Sequence, residues 1–210
     1  MLTVHHLGVS QSERIVWLCE ELGLDYEMKR YDRVPPGRGM GPPEYKALHP
    51  LGTAPIITDG DVVLPESGAI IEYILGRYGE GRLSVPPSAP NFADYLFWLH
   101  FANASFLPAQ GPAAMAKDDD SPRGQFMRAR GERTWTLTEA RLGEVPYLAG
   151  QDFTAADIIM VFNLTTMRAF APRDLSPYPN TLAYLQRIGA RPAYQQAMAK
   201  ADPQMEPMLT

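Results

Sequence analysis

The sequence is poor in cysteine and has no long apolar run. Its 210 residues include one cysteine, which excludes an internal disulfide and any paired-cysteine zinc or redox site and is typical of a reducing compartment. No run approaches the roughly 18 apolar residues that a membrane span needs, and residues 1–20 lack the basic and apolar segments of a signal peptide. We therefore expect a cytoplasmic protein that does not enter a membrane.

The chain also lacks an excess of positive charge. It carries 24 acidic against 19 basic residues, a net charge of −5. Nucleic acids and anionic membranes attract basic surfaces, so neither is predicted as a partner. The acidic run at residues 118–120 is expected to be a solvated loop, because hard cations need ligands spaced along a loop that turns around the ion. No metal is predicted.

The first part of the chain predicts a compact α/β domain over residues 1–79. Apolar runs on both sides of a Gly60-Asp61 turn indicate a β-hairpin, and helical spacing of apolar residues follows it. A breaker-rich segment at 33–43 is expected to be a surface loop. The predicted order is strand, helix, strand, strand, strand, helix, with the first three elements at 2–7, 12–22 and 26–31.

The rest of the chain predicts helices. Prolines and glycines at 80–90 indicate a linker, and residues 91–210 are expected to form an all-helical domain. A long helix at 91–116 is apolar around most of its surface, which favours contact with a second subunit as well as with its own core, and Pro108 and Pro112 should bend or break it. The box Thr154-Ala155-Ala156-Asp157 predicts a capped, central helix.

Two features beside the hairpin suggest a site for a peptide-like anion. A cis bond before Pro55 would turn the Thr53-Ala54 backbone outward as an unpaired edge, which an extended ligand can pair with. Glu66 and Ser67 open a helix whose free N–H groups and positive dipole end suit a carboxylate. These residues alone leave open the alternative of a strand-initiating proline and an ordinary helix cap.

Taken together, this order of elements resembles the cytosolic glutathione S-transferases, over nearly the whole chain. The resemblance implies a thioredoxin-like N-terminal domain that binds glutathione, an all-α domain that forms the electrophile pocket, and a homodimer. The first helix is most similar to bacterial and fungal members with a serine in the active-site loop. The motifs that carry the likeness are Ser10 to Arg14, His49-Pro50-Leu51-Gly52 with Pro55, Glu66-Ser67-Gly68-Ala69-Ile70, and Phe153-Thr154 with Ala156-Asp157-Ile158.

The resemblance assigns both features beside the hairpin to glutathione. Ala54 and a cis Pro55 would pair with the cysteinyl backbone, and Glu66 and Ser67 would hold the γ-glutamyl end. Family members often place a lysine or arginine before the cis proline to meet the glycyl carboxylate, whereas this chain has Thr53.

Two basic residues elsewhere in the chain are candidates to replace the cation that is missing at Thr53. Lys46 or Arg38 would then meet the glycyl carboxylate, and without either of them glutathione binding should be weak.

The catalytic step implied by the resemblance needs a thiolate. A hydroxyl at the tip of the first helix would stabilise it, and Ser10 aligns best with the family's serine. Ser12 is the rival, with a plain helix N-cap as its alternative role. Cys19 lies too far inside the helix to react and is expected in the core. His5 and His6 are interpreted as strand residues.

The function expected from this resemblance is detoxification, by attack of glutathione on small hydrophobic electrophiles or peroxides. Isomerase and dehalogenase chemistry would use the same thiolate. Phe101, Met115 and Met167 are expected in the electrophile pocket. The alternative is a non-catalytic ligand carrier or interaction protein, which Thr53 in place of a basic residue motivates.

Overall fold

The computed structural model describes residues 1–36 and 39–210 and divides the chain into two compact units. The α/β unit comprises Met1–Leu83 and Ile188–Pro207, and the helical unit comprises Ser84–Arg187 and Met208–Thr210. The stretch 188–207, which the sequence analysis assigned to the helical domain, therefore packs with the α/β unit.

The α/β unit is built on a four-stranded sheet with the order β2-β1-β3-β4. Strand β1 lies inside the sheet, parallel to β2 and antiparallel to β3, and β3 and β4 form the expected hairpin. Gly60 takes a φ of 59° in the hairpin turn, where a side chain would be strained. The strands are β1 (Leu2–Leu7), β2 (Glu27–Tyr31), β3 (Ile56–Asp59) and β4 (Val62–Pro65).

Helices α1 and α9 pack against each other in this unit. The rings of Trp17 on α1 and Tyr194 on α9 meet edge to face with centroids 4.9 Å apart. Arg191 at the start of α9 donates two hydrogen bonds, of 2.7 and 2.8 Å, to the carboxylate of Glu21 on α1. The helices of the unit are α1 (Glu13–Leu22), α2 (Pro43–Lys46), α3 (Ser67–Tyr78) and α9 (Pro192–Ala201).

The segment 33–43, expected to be a loop, ends in the short helix α2. Proline suits a first helical turn, because its missing N–H has no partner there in any case, and Pro43 opens this helix. Tyr45 is fully buried and packs edge to face on Tyr31, with centroids 5.1 Å apart. One aromatic side chain thus fixes the end of the loop to the sheet.

In the helical unit, one helix that the sequence predicts is divided into two helices. A π-helical turn at Ala102–Phe106 separates α4 from α5, where the sequence predicted a helix at 91–116 that its prolines bend or break. The turn ends two residues before Pro108, which lacks the N–H that an α-helix would pair with residue 104. The helices are α4 (Phe92–Phe101), α5 (Leu107–Met115), α6 (Pro122–Glu144), α7 (Ala155–Leu164) and α8 (Pro179–Gly189, ending in the α/β unit).

The capping box at the start of α7 is confirmed. The Thr154 hydroxyl accepts from the Ala156 N–H, and Oδ2 of Asp157 accepts from the Thr154 N–H at 2.9 Å. Oδ1 of Asp157 also accepts from the Leu148 N–H and the Tyr184 hydroxyl. Burial raises the pKa of Asp157 to about 6, against these hydrogen bonds, which lower it. Through Asp157 the box connects the start of α7 to Leu148 and Tyr184 within the helical unit.

Within the part of the chain that the structure describes, no helix has the length and hydropathy to cross a bilayer. The same residues contain no group of three or more His, Cys, Asp or Glu side chains that could hold a metal ion.

Candidate functional site

The loop between β1 and α1 brings the two candidate serines together. Strand β1 ends at Leu7 and helix α1 begins at Glu13, so both hydroxyls lie between the end of an interior strand and the N-terminus of a helix. The Oγ atoms of Ser10 and Ser12 are 2.7 Å apart, and Ser10 donates to the Leu7 carbonyl at 2.6 Å. Ser10 is 5% exposed, whereas Ser12 has no exposed surface.

Ser12 is not a side-chain N-cap, so that interpretation is wrong. Its backbone already has helical angles, with φ −69° and ψ −17°, and its side chain forms no cap hydrogen bond. The hydroxyl turns back to the end of the strand instead, where it accepts from the Leu7 N–H at 3.1 Å and lies 2.9 Å from Nδ1 of His6.

His6 lies in strand β1, as the sequence predicts, and its ring also connects the serines to Asp202, which follows α9. Nε2 of His6 lies 3.1 Å from Oδ2 of Asp202, and both groups are buried. Burial favours the protonated acid, but hydrogen bonds from His6 and from the Val9 N–H, with the charge of Arg30, hold the pKa of Asp202 below its usual value.

The backbone of this loop is strained and is held from two sides. Val9 has a φ of 49°, which is unfavourable for a β-branched residue. Its N–H donates to the carboxylate of Asp202, and Arg33 donates to the carbonyls of Gly8 and Val9 at 2.8 Å each. These contacts fix the loop that presents Ser10.

The Thr53-Ala54 backbone, which is expected to pair with a ligand, leads into β3, the neighbour of β1 in the sheet. The Ala54-Pro55 peptide is cis, as the resemblance implies. Ala54 packs on a buried cluster of Leu7, Tyr31, Tyr45 and Ile56. Among the described residues, Thr53 and Ala54 form no backbone hydrogen bond, so their polar groups are available to a ligand.

The N-terminus of α3 forms the second predicted feature. Glu66 precedes the helix with a φ of 75°, a strained angle for a residue other than glycine, and its side chain is exposed. Ser67 is buried and accepts from Nη1 of Arg14 at 3.3 Å, and the same nitrogen donates to Gln11 at 2.7 Å. Through these contacts the first turn of α1 is connected to the start of α3.

Arg14 is an unusual buried cation. Burial lowers its pKa to about 9, against the opposing charge of neighbouring Glu13. It therefore keeps its positive charge at neutral pH and adds to the positive end of α3. Sequence reasoning used Arg14 only as part of a motif and missed this contact with Ser67.

Lys46 lies next to the turn that precedes Thr53. A Cβ atom added to Gly52 would meet Cγ of Lys46 at 3.3 Å, and Gly52 has a φ of 60°. Thr53 is exposed. Arg38, the other suggested cation, lies outside the described residues.

Cys19 and His5 are separate from the serine pair. Cys19 is buried, and burial raises the pKa of its thiol to about 12, so it stays protonated. The ring nitrogens of His5 contact the hydroxyls of Tyr31 and Thr58. Burial and the charge of Lys29 lower the pKa of His5.

The helical unit contains a cavity of about 500 Å³. Its apolar wall includes Trp135, Met167 and Phe170, and Arg173 stacks over the Trp135 ring at 5.3 Å. Met115, expected here, is 82% exposed and does not line the cavity. Phe101 lines a second cavity of about 340 Å³. The charged side chains around the first cavity are Lys117, Arg128, Glu132 and Arg173.

Comparison with known proteins gives consistent matches along the chain. Residues 5–82 match the family model of the glutathione S-transferase N-terminal domain, and residues 110–200 match that of the C-terminal domain. Glutathione S-transferase 3 of Schizosaccharomyces pombe is 34% identical over 96% of this chain and 88% of its own length.

Solved structures extend the similarity to the fold. A crystal structure of a glutathione S-transferase from Actinobacillus pleuropneumoniae is 36% identical, with a TM-score of 0.87, and covers 100% of this chain and 99% of its own. A theta class enzyme from Xanthomonas axonopodis with glutathione bound is 26% identical, with a TM-score of 0.70 over 93% of this chain and 96% of its own.

Proposed function

The chain belongs to the glutathione S-transferase family of enzymes, and we propose that it activates glutathione as a thiolate through Ser10 for attack on a small electrophile. The observation that carries the proposal is the pair of hydroxyls at the N-terminus of α1, in the same unit as the N-terminus of α3 and an Ala54 backbone that forms no hydrogen bond within residues 1–36 and 39–210. This arrangement offers one group for the thiol, one for the cysteinyl backbone and one for the γ-glutamyl end of glutathione.

Ser10 suits the thiolate better than Ser12 does. The Ser12 hydroxyl is fully buried and already contacts the Leu7 backbone, His6 and Ser10. Ser10 retains some exposure, and its hydrogen can turn from the Leu7 carbonyl toward a bound sulfur. Such a bond and the helix dipole favour the anion, and lowering the thiol pKa of about 8.5 by about two units corresponds to roughly 2.7 kcal/mol.

We assign the rest of glutathione as the resemblance implies. Ala54 and Pro55 take the cysteinyl backbone, and the exposed Glu66 with the N–H groups at the start of α3 takes the γ-glutamyl end. Lys46 takes the glycyl carboxylate, because it lies over the turn before Thr53 and forms no ion pair among the described residues.

The electrophile is assigned to the 500 Å³ cavity of the helical unit. Its size suits a small organic molecule, and Trp135, Met167 and Phe170 suit an aromatic or aliphatic body. Arg173 is paired with Glu132 and Arg128 with Asp120, so Lys117 is the cation that favours an electrophile with an acidic group. Conjugation is the reaction that this assignment supports, and a peroxide is the other substrate class in the proposal.

A cytoplasmic homodimer completes the proposal. A single buried cysteine fits a reducing compartment. Phe97 on α4 is 49% exposed and Phe126 on α6 is 60% exposed; exposed aromatic side chains of this kind are common where subunits meet. Sedimentation of the purified protein, which gives its mass in solution, tests this part.

Calorimetric titration with glutathione, combined with the ultraviolet absorbance of the bound thiolate as pH is varied, tests the function. We expect binding with a thiol pKa well below that of free glutathione. Loss of a hydrogen bond to a charged group costs about 1.5–3 kcal/mol, so Ser10→Ala should raise the bound thiol pKa by about one to two units while affinity is kept. Ser10→Thr, which retains the hydroxyl, is the matched control.

Two outcomes would contradict the proposal. Failure to bind millimolar glutathione would exclude the transferase function. Binding without turnover of a broad panel of electrophiles and peroxides would favour the ligand carrier instead.

A further inference from the structure

Four buried side chains form a continuous line of hydrogen bonds that ends at Ser10. The line runs from Asp202 to His6 at 3.1 Å, from His6 to Ser12 at 2.9 Å and from Ser12 to Ser10 at 2.7 Å. All four residues are less than a tenth exposed and belong to the α/β unit. An acid, an imidazole and a hydroxyl in this order form a recognised device for taking a proton.

The donors and acceptors fix the direction of the line when the ring is neutral. The carboxylate of Asp202 only accepts, so Nε2 of His6 carries the hydrogen and Nδ1 is an acceptor. The Ser12 hydroxyl must then donate to Nδ1, and its oxygen, which accepts from the Leu7 N–H at 3.1 Å, has a second lone pair for Ser10. Ser10 can turn its hydrogen from the Leu7 carbonyl, at 2.6 Å, to the Ser12 oxygen, at 2.7 Å.

We propose that His6, supported by Asp202, accepts the thiol proton of bound glutathione through Ser10 and Ser12. The proton leaves sulfur for Oγ of Ser10, the Ser10 hydrogen passes to Oγ of Ser12, and the Ser12 hydrogen passes to Nδ1 of His6. No electrons are exchanged, and the products are a thiolate and an imidazolium. The inference rests on the proposed function and adds the destination of the proton.

After the proton has been transferred, each hydrogen bond between His6 and Ser10 points toward the thiolate. Nδ1–H of His6 then donates to Ser12, Ser12 donates to Ser10, and the Ser10 hydrogen points to sulfur. The imidazolium is paired with the buried carboxylate of Asp202, which compensates the positive charge where water has no access. His6 acts through the two serines and is therefore a positioning residue rather than one that touches the substrate.

The charges around His6 come from each element packed on it. Asp202 follows α9, and Arg30 on β2 places Nη2 3.5 Å from the other oxygen of Asp202. Helix α1 contributes Glu13 and Arg14, buried in its first turn, and the neutral thiol of Cys19. The neighbouring His5 bonds to Tyr31 and Thr58 instead. Arg30 opposes the imidazolium, so Asp202 is required to stabilise it.

A purely structural role is the competing explanation, because Asp202 also holds the Val9 N–H. Nitrogen-15 NMR of the histidine rings in the wild-type protein separates the two roles. S-methylglutathione, which has no thiol proton, is the matched ligand. We expect the His6 ring to become an imidazolium with glutathione and to stay neutral with S-methylglutathione, with calorimetry showing that both ligands are bound.

Variants give a second, independent measurement. His6→Asn keeps a polar atom near the position of Nδ1 but is not basic, and Asp202→Asn keeps an acceptor without the charge. Each should raise the pKa of the bound thiol by about one unit and lower kcat/KM about tenfold, the factor to which one pKa unit corresponds, with little change in glutathione affinity. Arg191→Met breaks the ion pair of α9 with Glu21 and controls for loosening of α9.

The outcomes distinguish this inference from the function on which it rests. A His6 ring that responds identically to both bound ligands, or an Arg191→Met effect equal to that of Asp202→Asn, would overturn the proton path and leave the transferase intact. Absence of glutathione binding would refute the transferase function and the inference together.

Discussion

The contribution of one buried side chain, Asp157, to the free energy of unfolding of the helical unit can be measured. Asp157→Ala removes the acceptor of the Thr154 N–H, the Leu148 N–H and the Tyr184 hydroxyl, all of them buried. Leaving three buried donors without a partner, at roughly 2 kcal/mol each, costs about 6 kcal/mol. The variant also no longer buries a charge.

The charge term follows from the pKa of Asp157, which burial raises from 3.8 to about 6. At neutral pH this shift destabilises the native state by about 3 kcal/mol, so the net loss in Asp157→Ala should be about 3 kcal/mol. Because the native pKa lies above the unfolded value, the contribution of Asp157 to stability falls as pH rises from about 4 to 6. The loss in the variant should therefore be larger at pH 4 than at pH 7.

Urea denaturation followed by tryptophan fluorescence measures this loss. In a Trp17→Phe background the remaining tryptophans, Trp98 and Trp135, both report on the helical unit. Thr154→Ala, which removes only the cap hydroxyl, should cost about 1 kcal/mol and serves as the control. A loss below about 1 kcal/mol for Asp157→Ala at neutral pH, or one that shrinks at acid pH, would refute the reasoning.

Three further predictions concern the α/β unit. Lys46→Met should weaken glutathione binding about two- to fivefold, the range of exposed ion pairs, in calorimetry; an equal effect on γ-glutamylcysteine, which lacks the glycyl carboxylate, would contradict the assignment. Glu66→Gly should relieve a strained φ and stabilise the protein by about 0.5–1 kcal/mol, while it weakens glutathione binding; thermal unfolding with and without ligand shows both, and unchanged affinity would exclude Glu66 from the site. Asp202 has a lowered pKa in the native state, so its contribution to stability is complete above the unfolded value of about 3.9 and is lost as pH falls through the native one; the difference in unfolding free energy between wild type and Asp202→Asn should shrink in acid, and a growing difference would contradict the shift.

Features with short-range causes followed from the sequence. The hairpin with its Gly60 turn, the Thr154 box and the helix opened by Ser67 depend on residues within a few positions of one another. Their signals are therefore visible in the chain itself. Pro55 belongs to the same group, because the proline that permits the cis bond is present in the sequence.

Features that depend on packing were missed or placed wrongly. Pro108 and Pro112 predicted a bend or a break in the helix at 91–116, but the sequence did not indicate that the interruption is a π-helical turn at Ala102–Phe106. Met115 is apolar and was expected in a pocket, but its side of α5 faces solvent. Helical periodicity identifies an apolar face without showing what covers it.

The line from Asp202 to Ser10 shows this division most clearly. The sequence by itself determined that two serines precede the first helix and that a histidine lies at the end of the strand before them, next to Leu7. Asp202 lies 196 residues beyond His6, after a helix with no local mark of a site. Only the packing of α9 against α1 brings its carboxylate to the histidine, because long-range contacts are set by how elements cover one another's apolar faces rather than by neighbouring residues.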